Sequence, residues 1–372
     1  MPCKGFCKQE SYRVHGVFWK FYKNTKRKFS KFNAGSKYLK MPSLPQKKNV
    51  FVLMGGFTSE FEISIKSGQV VCKFLDKDLY RVFPCIISQK GWYSHDKDGN
   101  EFPVNPVDFS FNQNGEKIHP DLIFNTVHGS PGEDGHIAAL CSLQNIPQTS
   151  THFYAAALSF NKRDCLSVLK AHGIPCAESI HCNQGNTPDF SEVKGKLGLP
   201  FFVKPNRSGS SYGVSKVEDE SQYTHALTTA FKEDHQILME RAIDGVEVSV
   251  GAYSHKGRPV IFCPTEIVPE NDFFDLSAKY EGKAQEITPA RIPQEQTEMV
   301  KTLTAKIYRI LEMNGVCRAD FIIEINQAYF IELNSNPGLS EASLIPKQVA
   351  HSGLDLTEFF NRLIQETLIK HK

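Results

Sequence analysis

Apolar residues in the first part of the chain form short runs that alternate with amphipathic stretches. Val50 to Met54 is a continuous apolar run that ends at Gly55-Gly56, and Ile63 to Leu75 then carries apolar residues at roughly helical spacing. Leu122 to Val127 repeats this pattern, with a glycine-containing turn and a helical segment that ends near Gln144. Alternating strands and helices predict a parallel sheet, which binds ligands beyond the carboxyl ends of its strands.

The pattern changes after Pro200 to short strands with fewer helices, which indicates an α+β architecture. Helices are predicted from Tyr223 to Lys232 and around Met299 to Leu311, the second ending before Asn314-Gly315. The long polar stretch from Asp272 to Pro293 is interpreted as a loop that becomes ordered on binding. The predicted strands are Phe201 to Lys204, Val214 to Val217, Gln236 to Glu240, Val246 to Tyr253, and a hairpin of Val316 to Ile323 with Ala328 to Leu333.

Length and composition are those of a globular protein of two or three domains. The chain has 372 residues, of which 40% are hydrophobic and 23% charged. No apolar run approaches the ~18 residues of a membrane-spanning helix, so no membrane segment is expected. The ten cysteines form no CxxC pair. Several of them stand in apolar surroundings, which favours reduced thiols and a cytoplasmic location.

Charge is distributed unevenly between a basic leader and an acidic body. Residues 1–48 hold 13 Lys and Arg but a single acidic residue, Glu10, whereas the remainder holds 30 basic and 40 acidic residues. An acidic body argues against nucleic-acid binding. For the leader, three interpretations stay open: a disordered tail, an arm attracted to nucleic acid or membrane, or an extension upstream of a start at Met41.

The segment Val203 to Gly213 is a strand that ends in Lys204 and opens into a loop of Gly and Ser residues. Such a loop can direct its N–H groups and hydroxyls at phosphate oxygens, while the Lys neutralises charge. It is neither a Walker motif nor a GxGxxG motif. Taken alone, it fits a nucleotide-phosphate site and a flexible hairpin connection equally well.

The hairpin near the carboxyl end carries a second group of polar side chains. Glu332 and Asn334 face the same side of one strand, and a three-residue turn centred on Asn326 would place Asp320 opposite Glu332. Carboxylate and amide oxygens suit Mg²⁺. A solvated hairpin face with alternating charge is the competing interpretation.

Two further positions are ambiguous when taken singly. Glu60 follows a glycine turn at a helix start, where an acidic residue commonly just complements the helix dipole. His128, in His-Gly-x-x-Gly-Glu-Asp-Gly, fits a packed loop residue as well as a substrate ligand. Together with the loop and the hairpin, however, Glu60 completes a site for a nucleotide, a metal ion and an ammonium group.

From about Asn49 to Leu368 the chain resembles the D-alanine:D-alanine ligases of the ATP-grasp superfamily. The matching segments, in the family's order, are GGFTSEFEIS, HGSPGEDG, NK, FFVKPNRSGSSYG, ERAIDGVEVSVG, AKY, CRADF and IELNSNPGLSEASLIP. In such ligases ATP phosphorylates the carboxylate of one D-alanine, and the amine of a second attacks the acyl phosphate. The resemblance implies a cytoplasmic enzyme of peptidoglycan synthesis that uses ATP with Mg²⁺, or Mn²⁺ in its place, two metal ions being expected.

The resemblance also implies roles for individual residues at the nucleotide. Lys162 and Lys204 would contact the ATP phosphates, and Glu247 would hold the ribose hydroxyls. The metal ligands would be Asp320, Glu332 and Asn334. The remaining nucleotide-site positions are Ser208, Gly209, Ser210, Ser211 and Gly213 in the closing loop, Glu240, Arg241 and Ile243 at the adenine, and Lys279 in a second mobile loop.

For the amino acids, the resemblance places Glu60 at the ammonium of the first D-alanine and includes His128 among the substrate contacts. Arg318 and the N–H of Gly338 would stabilise the tetrahedral oxyanion. The carboxylate of the second D-alanine would bind Ser343 and the backbone of Leu344. Tyr280 would close the site by linking to Ser210 and Glu60, and a Tyr at this position favours the dipeptide over D-alanyl-D-lactate.

The expected organisation is an ATP-grasp fold that follows the leader (residues 1–48). An N-terminal α/β substrate domain (49–150) precedes a central subdomain (151–245) and a C-terminal subdomain with the metal hairpin (246–372). A homodimer that binds no nucleic acid and no membrane is expected. The alternatives are an ATP-grasp ligase with another second substrate, such as D-lactate, a non-catalytic nucleotide-binding protein, and nucleic-acid binding through the leader.

Overall fold

The computed structural model describes residues 47–209, 211–269 and 284–371. All of the basic leader except Lys47 and Lys48 therefore lies outside the described residues. In the described part of the chain, no helix is long and apolar enough to cross a membrane. The helices are α1 (Phe61–Phe74), α2 (His136–Leu143), α3 (Phe153–Phe160), α4 (Lys162–Ala171), α5 (Phe190–Leu197), α6 (Glu220–Glu233), α7 (Gln294–Ile310), α8 (Leu344–His351) and α9 (Leu356–Lys370).

The strands form three main sheets and one small hairpin. In chain order they are β1 (Lys48–Gly55), β2 (Tyr80–Ser88), β3 (Gly91–His95), β4 (Glu101–Pro103), β5 (Phe111–Gln113), β6 (Glu116–Ile118), β7 (Leu122–Asn125), β8 (Ser179–Asn183), β9 (Phe201–Pro205), β10 (Ser215–Val217), β11 (Gln236–Arg241), β12 (Val246–His255), β13 (Arg258–Ile261), β14 (Thr265–Pro269), β15 (Ala284–Ile287), β16 (Val316–Glu324) and β17 (Gln327–Asn334).

The N-terminal sheet has the strand order β4-β3-β2-β1-β7. Strand β1 pairs in parallel with β2 and β7, as the alternating pattern predicts, whereas β3 and β4 extend the sheet as an antiparallel edge. The apolar run of β1 is buried, which is why it shows no alternation. Gly55 ends the strand at φ +99°, where a Cβ would lie 2.5 Å from the Ile87 carbonyl oxygen, so the turn requires glycine.

The central sheet is antiparallel in the order β10-β9-β11-β8. Helix α6 packs against it and confirms the helix predicted from Tyr223 to Lys232. The helix begins three residues earlier than predicted, because Asp219 accepts a hydrogen bond from the Ser221 N–H and caps it.

The third sheet has the order β15-β14-β12-β16-β17, and β13 pairs with β12. The predicted hairpin is β16 with β17, and Asp320 lies opposite Glu332 as expected. The predicted three-residue turn is wrong: Glu324 pairs with Gln327, so the turn has two residues, and a bulge between Asp320 and Phe321 restores the predicted alignment.

The polar stretch from Asp272 to Pro293 is only partly a loop. Its residues up to 283 lie outside the described residues. Residues Ala284–Ile287, however, form strand β15, which pairs antiparallel with β14 and corrects the prediction of a continuous loop. Its polar composition fits an edge strand, since β15 has a neighbour on one side only among the described strands.

Two groups of buried side chains join the sheets. Helices α3 and α4 contribute Ala155, Cys165 and Leu169 to the core beneath the C-terminal sheet. Helix α9 contributes Phe359, Phe360, Leu363 and Ile364 to a core shared with the N-terminal sheet. The last helix of the chain therefore fixes the first sheet against the third.

Replacing Phe360 by Ala should lower the free energy of unfolding by about 3 to 5 kcal/mol, because a fully buried ring leaves a cavity. The ring packs edge-on against Phe124 at 5.6 Å between centroids. Urea unfolding followed by circular dichroism measures the change. On the same helix, Ile369 is 64% exposed, and Ile369→Ala serves as the control with almost no expected loss. Equal losses in the two variants would contradict this account of the packing.

Candidate active site

The loop after β9 is anchored at its base by side-chain hydrogen bonds. The Asn206 side chain donates to Asn161 Oδ1 at 2.8 Å. Arg207 donates from Nε and Nη2 to the two carboxylate oxygens of Asp234, at 2.9 and 2.7 Å. Such a bidentate pair fixes orientation as well as distance. The start of the predicted phosphate loop is therefore held in one geometry.

The tip of the same loop reaches the N-terminal domain. A Cβ added at Gly209 would lie 2.7 Å from Glu60 Oε2, so the loop backbone passes directly over the predicted ammonium-binding carboxylate. Below the loop is a cleft that Ser208 and Ser211 line. Gly213, at φ +74°, turns the chain back toward the next strand. The structure thus brings the predicted nucleotide loop and the predicted amino-acid contact together.

Lys204 stands at the end of β9 beside Glu240 on the neighbouring strand β11. Its Nζ lies 2.5 Å from Glu240 Oε2. Burial opposes the charge of Lys204, but the adjacent carboxylate outweighs burial and raises the pKa of the lysine above its ordinary value. Both side chains line the cleft. Lys204 therefore stays charged and is available for phosphate.

Lys162 opens helix α4 and crosses from the phosphate loop to the metal hairpin. Its Nζ donates to the Ser208 carbonyl at 2.8 Å and lies 3.3 Å from Glu332 Oε2. The two lysines that are predicted to contact phosphate, Lys162 and Lys204, are thus each paired with a carboxylate of the protein. A bound phosphate would replace that carboxylate as the partner of each lysine.

The far end of the cleft contains the predicted adenine and ribose contacts. Arg241, Ile243 and Glu247 all line it, and Arg241 also pairs with Glu324 at 3.4 Å. Glu240 Oε1 is buried and has no hydrogen-bond partner among the described residues. A buried acceptor without a donor is costly. Its position fits an amino group of a bound base.

Arg318 and Asp320, two residues apart on β16, form an ion pair in which the carboxylate is buried and the guanidinium is partly buried. The guanidinium donates from Nε and Nη2 to the two oxygens of Asp320, at 2.9 and 2.8 Å. Burial opposes the charge on Arg318, but Asp320 outweighs burial and raises the pKa of the guanidinium above its usual value. Ser249 and Asn334 donate to Asp320 as well, at 2.7 and 3.1 Å. Sequence reasoning missed Ser249, which lies on the neighbouring strand β12.

The hairpin offers the ligand set of a metal ion that also binds phosphate. Asp320, Glu332 and Asn334 provide two carboxylates and an amide, and Mg²⁺ usually binds one or two carboxylates together with substrate phosphates. Within the described part of the chain, no group of three or more His, Cys, Asp and Glu side chains is arranged to hold a metal ion.

A second cavity of about 300 Å³ adjoins the first. Arg318 lines both cavities, so groups bound in the two would meet at its guanidinium. The residues that line the second cavity include the predicted substrate contacts Glu60, His128, Arg318, Gly338, Ser343 and Leu344.

Ser343 and Leu344 stand at the start of helix α8 and line this cavity, and the first N–H groups of a helix have no partner within it. Ser343 Oγ lies 2.7 Å from Ser340 Oγ. A helix N-terminus with two hydroxyls favours a carboxylate. Gly338 lies beside them, and a Cβ there would approach Ser343 Oγ to 2.7 Å, so only glycine fits without displacement.

His128 lines the second cavity but is buried and contacts protein atoms through both ring nitrogens. Nδ1 lies 2.9 Å from the Asn336 carbonyl oxygen, and Nε2 lies 3.1 Å from Ser67 Oγ. Burial lowers the pKa of His128, although the carboxylate of Glu60 acts in the opposite direction. Both interpretations of His128 therefore describe part of its position: it is packed, and it borders the site.

Glu133, Ser67 and Asn336 are site residues that sequence reasoning did not assign. Glu133 is buried and accepts hydrogen bonds from the N–H groups of Gly129 and Asn336, at 2.8 and 3.3 Å. Burial, reinforced by Glu60, raises the pKa of Glu133 to about 8. Ser67 could have been suspected, because it lies one helical turn after Ser64 on the face of α1 that packs inward.

Three predicted residues cannot be located in this geometry. Ser210, Lys279 and Tyr280 lie outside the described residues. Their roles stay predictions from the sequence.

Two sequence models of one family match most of the chain. The model described as D-ala D-ala ligase N-terminus matches residues 49–151, and that described as D-ala D-ala ligase C-terminus matches residues 168–365. The chain is 47% identical over 321 residues to a D-alanine--D-alanine ligase of Flavobacterium johnsoniae, covering 86% of this chain and 99% of the relative. Identity to the ligase of Parabacteroides distasonis is 41% over 327 residues, covering 88% and 99%.

Solved structures agree in fold. The D-alanyl-alanine synthetase A of Vibrio cholerae superposes with a TM-score of 0.78 at 28% identity, covering 87% of this chain and 99% of that one. The D-Ala:D-Ser ligase VanG of Enterococcus faecalis gives a TM-score of 0.76 at 26% identity, covering 87% and 100%.

Replacing Arg318 by Met should destabilise the protein by about 3 to 5 kcal/mol, because the buried Asp320 loses its counter-ion. The double variant Arg318→Met with Asp320→Leu should recover much of this loss, since it leaves no uncompensated charge. Urea unfolding of both variants measures the difference. A double variant as unstable as the single one would show that charge pairing is not the reason.

Proposed function

The chain belongs to the D-alanine–D-alanine ligase family, and from this premise we propose that its two cavities join two D-alanine molecules in an ATP-dependent reaction. The observation that carries the proposal is Arg318, which lines both the nucleotide cleft and the adjoining cavity. The products are D-alanyl-D-alanine, ADP and phosphate. The dipeptide is a building block of peptidoglycan.

In the first step, Glu60 pairs with the ammonium of the first D-alanine and directs its carboxylate toward the nucleotide. A carboxylate oxygen attacks the γ-phosphorus of ATP, and the bond from that phosphorus to the bridging oxygen breaks. ADP is the leaving group, and the carboxylate becomes an acyl phosphate. Lys162 and Lys204 exchange their present carboxylate partners for phosphate oxygens. Until the nucleotide binds, the two carboxylates supply the counter-charge for these lysines.

Asp320, Glu332 and Asn334 are the residues that would hold Mg²⁺, or Mn²⁺ in its place, with two ions expected from the family. When bound there, the metal supplies positive charge against the charge that develops on the transferred phosphoryl group. For Asp320 to bind it, the bidentate contact with Arg318 must loosen. Arg318 is then available to the reacting carboxyl group.

In the second step, the ammonium of the second D-alanine gives one proton to water, and the resulting amine attacks the carbonyl carbon of the acyl phosphate. The C–N bond forms and negative charge collects on the carbonyl oxygen. The C–O bond to phosphate then breaks, and the nitrogen passes its second proton to the departing phosphate. Arg318 and the N–H of Gly338 stabilise this oxyanion. Among the described residues, no protein acceptor takes the Gly338 N–H, which leaves it available for this contact.

The second D-alanine is held through its carboxylate. Ser343 and the Leu344 N–H stand at the N-terminus of α8, where a negative charge is favoured by the helix dipole and the unpaired N–H groups. At the other end, Glu240 Oε1 is the acceptor proposed for the adenine amino group, because it is buried without a donor. Arg241, Ile243 and Glu247 would border the base and the ribose.

Part of the proposal rests on the sequence alone. Ser210, Lys279 and Tyr280 are proposed to close over the bound substrates and to exclude water from the acyl phosphate. The division into residues 49–150, 151–245 and 246–372 is likewise proposed. We place the reaction in the cytoplasm, where ATP is available.

We also propose a homodimer, which is supported by an exposed apolar surface on α2 and α3. Leu143, Phe153 and Tyr154 are 83%, 51% and 63% exposed, and the two helices pack against each other. Leu143→Asp should therefore shift the protein toward the monomer in sedimentation velocity. Ile369→Asp, at an exposed site on α9, is the control and should leave the distribution unchanged. If Leu143→Asp also left it unchanged, this surface would not be the interface.

Phosphate release with ATP and Mg²⁺, measured with and without D-alanine, tests the function. Release should depend on D-alanine, and mass spectrometry should show the dipeptide. D-Serine and D-lactate, each supplied with D-alanine, test the second subsite. ATP binding without D-alanine-dependent release would reject the ligase in favour of a nucleotide-binding protein, and a mixed product formed in preference to the dipeptide would reject D-alanine as second substrate.

Replacing Glu332 by Gln should lower turnover at least about 100-fold, because a neutral amide is a weaker metal ligand, while the fold persists. Steady-state ADP formation with circular dichroism measures both properties. Glu298→Gln, which changes an exposed carboxylate of α7 paired with Lys301, is the matched control and should retain activity. Full activity of Glu332→Gln would remove the hairpin from the mechanism.

A further inference from the structure

The chain on both sides of Gly338 is tied to the N-terminal domain by buried hydrogen bonds. On one side, the Asn336 side chain donates to the Val127 carbonyl at 2.9 Å, and its backbone N–H donates to Glu133. On the other side, the Leu339 N–H donates to Ser67 Oγ at 3.1 Å. These partners are more than 200 residues away in sequence. The position of Gly338 is therefore set from a different domain.

His128 links the two segments that flank Gly338, because it contacts Asn336 directly and Leu339 through Ser67. The Asn336 carbonyl can only accept a hydrogen bond, so His128 Nδ1 must carry the proton. In the neutral ring Nε2 is then an acceptor, and the Ser67 hydroxyl donates to it at 3.1 Å. The remaining lone pairs of Ser67 accept the Leu339 N–H. Each donor and acceptor along this path has one partner, so its direction is fixed.

We infer that Ser67 and His128 form a positioning bridge that aims the Gly338 N–H at the oxyanion of the ligation step. This inference rests on the proposed function, in which Gly338 stabilises the tetrahedral intermediate. Neither bridge residue needs to contact the reacting atoms. They act through the backbone of Asn336 and Leu339, which flank Pro337 and Gly338.

The chemistry of the second step makes such positioning necessary. An oxyanion donor acts only when its hydrogen is already aimed at the place where charge develops. A Cβ at position 338 would displace the Ser343 hydroxyl, yet glycine itself restrains the backbone least. A glycine donor therefore needs an external restraint, and the bridge supplies one on each flank.

The test is the variant Ser67→Ala, with ADP and dipeptide measured separately. Dipeptide turnover should fall by about 10-fold to 100-fold, because the oxyanion donor is displaced while the binding residues remain. The KM for ATP should stay within about twofold of the wild-type value, because the nucleotide cleft is not touched. Acyl phosphate that waits for the amine is exposed to hydrolysis, so the ratio of ADP to dipeptide should rise.

Helix α1 provides a matched control one turn earlier. Ser64 is fully buried like Ser67, but its hydroxyl contacts only the N-terminal domain, accepting from the Gly55 N–H at 2.7 Å and donating to the Thr126 carbonyl at 2.8 Å. Ser64→Ala should lose similar stability without raising the ratio of ADP to dipeptide. Ser67→Thr keeps the hydroxyl and should return the ratio of ADP to dipeptide most of the way to the wild-type value. If Ser67→Ala fails to fold, Ser67→Cys replaces it and should give a ratio between those of the wild type and a full loss of the hydroxyl.

The outcomes separate this inference from the function beneath it. An unchanged ratio and turnover in Ser67→Ala would overturn the bridge, as would equal ratios in the Ser64 and Ser67 variants. Failure of the wild-type protein to make dipeptide would instead reject the proposed function. A raised ratio confined to Ser67→Ala and reversed by Thr is the result expected for a positioning role.

Discussion

The ion pair between the partly buried guanidinium of Arg318 and the buried carboxylate of Asp320 is the constraint on which the arrangement of the site depends. A charged group away from water requires a counter-ion, and Asp320 supplies it through two hydrogen bonds on the same strand. That requirement brings Ser249 and Asn334 to the same carboxylate. Arg318 also lines both cavities, so this ion pair lies where the two cavities meet.

Charge exchange follows from the same constraint. Lys204 and Lys162 face Glu240 and Glu332 in the protein itself. In the proposed reaction, a nucleotide that arrives with a metal ion would offer phosphates to the lysines and a cation to Glu332, so the charges would change partners and none would be left unpaired. Pairing in both states avoids the desolvation cost of isolated charges. It also explains why carboxylates and lysines are interleaved here and are not separated into acidic and basic patches.

Sequence reasoning predicted local features well and distant contacts poorly. The apolar run of β1 and the helical spacing of α1 are determined by neighbours in the chain, and the structure confirms both. The alignment of Asp320 with Glu332 was also predicted, although a bulge and a two-residue turn replace the expected three-residue turn. The contact of Ser67 with Leu339 spans 272 residues, and no local pattern encodes it. The sequence pattern is the same for a serine that caps a helix, one that packs in the core and one that positions a distant backbone segment.

The neutrality of the Ser67 and His128 bridge has a physical reason. In the proposed reaction Arg318 stabilises the oxyanion, and a further charge beside it would alter the field in which that stabilisation acts. Neutral hydrogen bonds fix distance without adding charge. Burial favours the uncharged imidazole by lowering the pKa of His128, and it favours a protonated Glu133 by raising the pKa of that carboxyl to about 8. His128 and Glu133, which help to set the geometry, are therefore uncharged. In the proposed reaction, Glu60 and Arg318 carry the charges that contact the substrates.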